Sequence, residues 1–207
     1  MQRLLDIMRT LRAPGGCPWD QKQTHDSLRP YLLEEAAEAV DALQTGNSLE
    51  MADELGDVLL QVAFHAVIAE EAGTFSYDTI ETSIVDKLVR RHPHVFADTR
   101  VEDADEVVTN WQAIKAAEKN KADVNPADSV PRSLPALMRA AELGKKLDWP
   151  EGDKATLLKV AGKAEDSAEG VGQLLLAAVD YARAHGVDPE LALRDAASAR
   201  ASSSHSR

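Results

Sequence analysis

The sequence predicts an all-helical chain. Aromatic residues make up only 4% of it, while 44% is hydrophobic. Ala and Leu, both strong helix formers, are abundant. No segment alternates polar and apolar residues convincingly enough to read as a strand.

Residues 2–12 read as a short helix, stopped by Pro14, Gly15 and Gly16. A polar loop, CPWDQKQTHDS, follows. From residue 28 to 43, the apolar positions 28, 32, 36, 39, 40 and 43 form a stripe at helical spacing, and Gly46-Asn47 ends that helix. Ser48 is the expected cap of the next helix, which runs to about Ala72 and stops at Gly73. Ser76 or Asp78 caps a fourth helix that ends before His92-Pro93. Residues 93–103 are expected to be loop, and a fifth helix spans about 104–119. KADVNPADSVPRSLP, with its three prolines, reads as a linker. Helical patterning resumes from 134 to about 200, and SSSHSR reads as a disordered tail. These signals divide the chain into a domain at 1–120, a linker at 121–133, a second helical unit at 134–200 and a tail at 201–207.

The two halves share a faint repeat. ELGDVLLQVAFHAVIAEEAG (54–73) aligns with GVGQLLLAAVDYARAHG (170–186), so Glu54 corresponds to Gly170 and Asp57 to Gln173.

The chain has 207 residues and a formal charge of −12. That balance argues against a non-specific nucleic-acid binder, which needs a cationic surface. It leaves room for a polyphosphate substrate held by a local basic pocket. Cys17 is the only cysteine, so no intrachain disulfide forms. No apolar run reaches membrane-spanning length, and MQRLLDIMRTLR lacks the apolar core of a signal peptide. A cytoplasmic protein is the default expectation.

Two acidic clusters carry the chemistry. Glu34 and Glu35 lie one turn before Glu38 on the first long helix, as Glu54 does before Asp57 on the second. Helices joined by a short connection pack antiparallel, so the carboxylates can converge. Left unneutralised, such a group repels itself and is driven to take up protons. A hard divalent cation removes that penalty, and an all-oxygen set suits Mg²⁺ or Mn²⁺. The competing reading is a solvated acidic face. It fits the first helix as well as the metal reading does, since Glu34, Glu38 and Asp41 lie roughly opposite the apolar stripe and Glu35 nearer its border. It fits the second poorly, because apolar residues nearly surround that helix and confine Glu54, Asp57, Gln61 and His65 to a strip about 80° wide.

Lys87, Arg90 and Arg91 cluster near a helix C-terminus. They complement the helix dipole or neutralise phosphate. Trp19 and Trp111 either stack on a base or fill the core. The chain has no Walker glycine loop, no G-x-S-x-G, no Glu-x-x-His and no EF-hand loop.

CPWDQKQTHDSLRPYLLEEAAEAVDAL, ADELGDVLLQVAFHAVIAEE, DKLVRRHPHVFAD and NWQAIKAAEK, in that order, resemble the MazG nucleoside triphosphate pyrophosphohydrolases. The resemblance covers about residues 4–120, and SVPRSLPALMRAAELGKK resembles the family's interdomain segment. It implies an all-α bundle completed by dimerisation, and homodimers or higher homo-oligomers. It implies Mg²⁺-dependent cleavage of a nucleoside triphosphate, standard or non-standard, to the monophosphate and pyrophosphate; no nucleic-acid or membrane partner is expected, from the acidic balance and the lack of a long apolar run. The family's E-x-x-E…E-x-x-D metal motif falls on Glu35, Glu38, Glu54 and Asp57, with Glu34 as an extra acid and candidate base. Lys87, Arg90 and Arg91 match the family's basic segment, and Trp111 and Lys115 its nucleotide-contacting segment; Trp19 is a further substrate-binding candidate. The C-terminal half departs from the pattern at Gly170 and Gln173, which implies a shortened, degenerate second unit. The alternative is a non-catalytic nucleotide-binding or regulatory module.

Overall fold

The computed structural model describes residues 1–119 and 125–204. Every regular element among them is helical. The chain divides into two compact units, Met1–Glu118 and Lys119–Arg207. The sequence reading places its boundary at 120–121, and residues 120–124 lie outside those described.

In the first unit, α1 (Gln2–Arg12) is followed by the short α2 (Pro18–Lys22), inside the segment expected to be loop. Pro18 opens α2, where its missing N–H is not needed. The long helices α3 (Arg29–Thr45) and α4 (Ser48–Glu71) form a hairpin. Gly46 ends α3 at φ +71°, a left-handed conformation that disfavours a side chain. The cap of α4 is Asn47 rather than Ser48: its side-chain oxygen accepts from the Leu49 N–H at 3.2 Å. One position earlier, Asn serves the same orphan donors.

α5 (Tyr77–Arg91) is capped by Ser76, whose N–H donates to Thr79 Oγ1 at 3.3 Å. Pro93 then opens a one-turn α6 (Pro93–Phe96) where loop was expected. α7 (Ala104–Lys119) completes the unit.

The core of this unit lies between α1 and the second half of α4. Leu5 and Met8, one turn apart on α1, pack with Leu28 against Ala63, Phe64, Ala66 and Val67. Each large side chain buried there contributes about 1.5–3 kcal/mol. Arg9 reaches Glu70 at 2.9 Å and Arg12 reaches Glu71 at 2.7 Å, fixing the register of α1 on α4.

The first half of α4 is different. Leu49, Leu55 and Leu59 are about half exposed or more within the chain, as are Leu33 and Leu43 on α3. The sequence reading of α4 as a helix buried all round therefore holds only for its C-terminal half. The reason is geometric: Leu5 and Met8 of α1 pack against Ala63, Phe64, Ala66 and Val67, all in that half.

In the second unit, α8 (Ala136–Lys146), α9 (Lys154–Ala161) and α11 (Pro189–Ser204) all pack on α10 (Ala168–Ala184). Ser167 caps α10 by accepting from the Gly170 N–H at 3.1 Å. Gly170, the counterpart of Glu54, is buried in the first turn of α10, and a Cβ there would overlap the Glu165 backbone. No carboxylate side chain fits that position without moving the chain.

The tail is a further correction. It was expected to be disordered from residue 201, yet α11 continues to Ser204. Ser203 and Ser204 donate their hydroxyls back to the Arg200 carbonyl, which keeps the last turn closed. Residues 205–207 lie outside the described residues. No helix among those described is long and apolar enough to cross a membrane.

Candidate active site

The α3–α4 hairpin brings together three of the predicted acids. One carboxylate oxygen from each of Glu35, Glu38 and Glu54 lies within 4.8 Å of the other two. Glu35 and Glu54 are half-buried and Glu38 is exposed. The Glu35 carboxyl is held above its ordinary pKa, chiefly by loss of solvent, then by the charges of Asp57, Glu38, Glu34 and Glu54. Glu54 is raised for the same reasons, with Glu38 and Asp57 its strongest charged neighbours. Asp57 and Glu34 thus stand close enough to be felt, although neither belongs to the tight trio. Asp57 sits one turn beyond Glu54 on α4, and both it and Glu34 are exposed.

A group of acids that share one space and resist ionisation can bind a proton or a cation. The donors are all hard carboxylate oxygens, which suits Mg²⁺ or Mn²⁺ and not a soft metal.

Trp19 stands beside this hairpin. Its ring meets Tyr31, one turn before Glu35, edge-on at 5.8 Å, and Phe64 of α4 at 6.3 Å. It remains 49% exposed, so it is a wall residue and not a core residue. Further along the polar strip of α4, Gln61 is buried with its Oε1 lacking a partner. His65 lies one turn beyond it and bonds His25, Nδ1 to Nδ1, at 2.7 Å. The rings are 5.0 Å apart and only 10° from parallel, so this is an in-plane N–H···N bond. It fixes opposite tautomers on the two rings when the pair is neutral. Burial, then the charge of His25, lowers the His65 pKa.

The basic candidates gather at the end of α5. The Arg91 guanidinium lies 5.4 Å from the Trp111 ring centroid, and Lys115 Nζ lies 4.6 Å from it. Trp111 is therefore lined with cations rather than packed in the core. Lys87 is half-buried one turn before Arg90 and Arg91. The sequence reading missed Glu118. Its carboxylate takes Arg90 Nε at 2.7 Å and Arg91 Nη2 at 2.6 Å, and the two arginines lower its pKa to about 2. The signal was present: Trp111, Lys115 and Glu118 follow the i, i+4, i+7 spacing of one helix face.

The fold and this acid set define an all-α protein whose helical hairpin carries a carboxylate cluster suited to a hard divalent cation. Residues 23–96 match the MazG nucleotide pyrophosphohydrolase domain. The chain is 42% identical, over 95% of its own length and 82% of the other protein's, to the nucleoside triphosphate pyrophosphohydrolase of Escherichia coli K12. It is 52% identical over 67% of its length to the uncharacterized protein YabN of Bacillus subtilis, of which it spans only 28%. A crystal structure of a MazG-related protein from Thermotoga maritima aligns with 56% of this chain and 99% of that one, at 26% identity and a TM-score of 0.48. The chain belongs to the MazG nucleotide pyrophosphohydrolase family.

Proposed function

We propose that this chain hydrolyses nucleoside triphosphates, standard or non-standard, between the α and β phosphates. One water is consumed, and the products are a nucleoside monophosphate and pyrophosphate. The observation that carries the reading is the convergence of Glu35, Glu38 and Glu54 from two helices, with two of them held above their ordinary pKa. It is supported by the identity, over nearly the whole chain, with a protein named for that activity.

Glu35, Glu38, Glu54 and Asp57 would hold Mg²⁺, with Mn²⁺ as a substitute. The cation, when bound, supplies Lewis-acid polarisation of the phosphoryl oxygens and neutralises the carboxylates. Glu34, exposed beside them, takes the proton of the attacking water. Arg90, Arg91, Lys87 and Lys115 offset the charge that builds on the leaving pyrophosphate. Trp19 and Trp111 offer faces to the nucleoside.

The second unit, with Gly170 and Gln173 at the aligned acid positions, contributes no metal ligands in this scheme. A second copy covers the apolar face left open on the hairpin by Leu43, Leu55 and Leu59, giving a homodimer in the cytoplasm.

The test is product identity. The purified chain is incubated with a panel of ribo- and deoxyribonucleoside triphosphates and Mg²⁺, and products are separated by ion exchange. Monophosphate and pyrophosphate are expected, and both disappear with EDTA. Folded protein that turns over no nucleotide with either metal would point instead to a binding module. Release of orthophosphate would place the cleavage at the wrong bond.

A further inference from the structure

We propose that Glu118 sets the affinity of the nucleotide site by competing with the polyphosphate for Arg90 and Arg91. The inference rests on the reading of those arginines as phosphate ligands. A carboxylate and a phosphate ask the same thing of a guanidinium: two acceptor oxygens opposite its planar fork. Glu118 already holds both guanidinium groups, its Oε2 taking two Arg91 donors and its Oε1 taking Arg90. It accepts from Arg91 through Nε at 3.2 Å and Nη2 at 2.6 Å, and from Arg90 through Nε at 2.7 Å. One acid therefore cancels part of the positive charge of two bases at the end of α5.

Two observations, and the charge of the proposed ligand, make this contact exchangeable and more than a brace. Arg90 is half exposed, and pairs open to water are weak and screened by salt. On the reading of these arginines as phosphate ligands, the competing triphosphate carries more charge than the single Glu118 carboxylate. Finally, α7 has a second hold on α5. Trp111 lies against the Arg91 guanidinium two turns before Glu118, so the carboxylate can let go while this contact remains. Trp111, Lys115 and Glu118 share one face, so one stripe of α7 carries an aromatic surface, a cation and the competing anion.

The experiment compares the full-length wild type with Glu118→Gln and Glu118→Asp. Binding of inorganic tripolyphosphate, which has no nucleoside, is measured by calorimetry. KM and kcat are measured by pyrophosphate release from the best nucleoside triphosphate. Competition predicts that Glu118→Gln binds tripolyphosphate more tightly and lowers KM, each by roughly two- to fivefold, the scale of one partly exposed charge pair. Glu118→Asp, which keeps the charge, is expected to lie nearer the wild type. A rise in KM or a fall in kcat in Glu118→Gln would mean that Glu118 positions the arginines, and would overturn the proposal. Unchanged binding would overturn it too. If Glu118→Gln lost helicity by circular dichroism, Glu118→Asp would decide: its shorter arm loosens the hold on the arginines, so competition predicts binding of tripolyphosphate at least as tight as wild type, and weaker binding would overturn the proposal. Should no protein turn over nucleotide while tripolyphosphate still binds Glu118→Gln more tightly, the activity reading fails and this inference survives.

Discussion

Glu54→Ala is expected to lower pyrophosphate release by at least about a thousandfold at saturating nucleotide and Mg²⁺, a loss of about 4 kcal/mol in transition-state stabilisation. Glu54 is one of the three acids whose oxygens meet, and it is the one supplied by α4. Without it the α3 acids have no tight partner across the hairpin. The same substitution is expected not to weaken the metal-free fold. Glu35 and Glu54 have folded pKa values raised above the ordinary 4.5, so the folded state holds protons more tightly than the unfolded state does. Their ionised forms oppose folding above the raised values, and that opposition fades as pH falls toward 4.5. Metal-free Glu54→Ala should therefore melt no lower than wild type at pH 7.5, and the gap between them should narrow toward pH 4.5. Subtracting one melt from the other removes the opposite-signed contributions of His65 and Glu118. Turnover within tenfold of wild type, in folded protein, would remove Glu54 from the metal set. A variant that melts well below wild type at pH 7.5 would show that Glu54 stabilises the hairpin by other means.

Phe64→Ala carries the largest expected cost in stability, about 3–5 kcal/mol, because it opens a cavity in a packed core. Phe64 is 3% exposed among Leu5, Met8, Leu28, Ala63 and Val67. A typical domain has only about 5–15 kcal/mol in total, so much of the first unit's margin would go. Trp19 loses its α4 partner at the same time, so nucleotide affinity should fall with stability. Urea unfolding followed by circular dichroism checks the first effect, provided the slope stays constant. A loss below about 1 kcal/mol would mean that the α1–α4 contact is not the core of this unit.

Much of the fold was legible because helices announce their ends locally. Gly46, Gly73 and Ser76 stop or start helices through backbone conformation and side-chain capping, which depend on a few neighbouring residues. The errors were local too. Asn47 and Ser48 are both competent caps, and only the path of the chain selects Asn47. Pro18 and Pro93 read as loop residues, but Pro is equally at home in a first helical turn. The serine tail reads as disordered by composition, yet its hydroxyls find carbonyls one turn back.

The candidate site divides along the same line. By itself, the sequence determined which acids share a helix face, since Glu35 with Glu38 and Glu54 with Asp57 follow from the helical period alone. The order of its motifs also determined the family. Only the tertiary structure decided which acids meet across the hairpin, that Glu118 holds Arg90 and Arg91, and that His25 finds His65 forty residues away. The physical reason is range. Period and capping act within about one helical turn, whereas a charge or an N–H···N bond takes whichever partner the packing of the helices brings near.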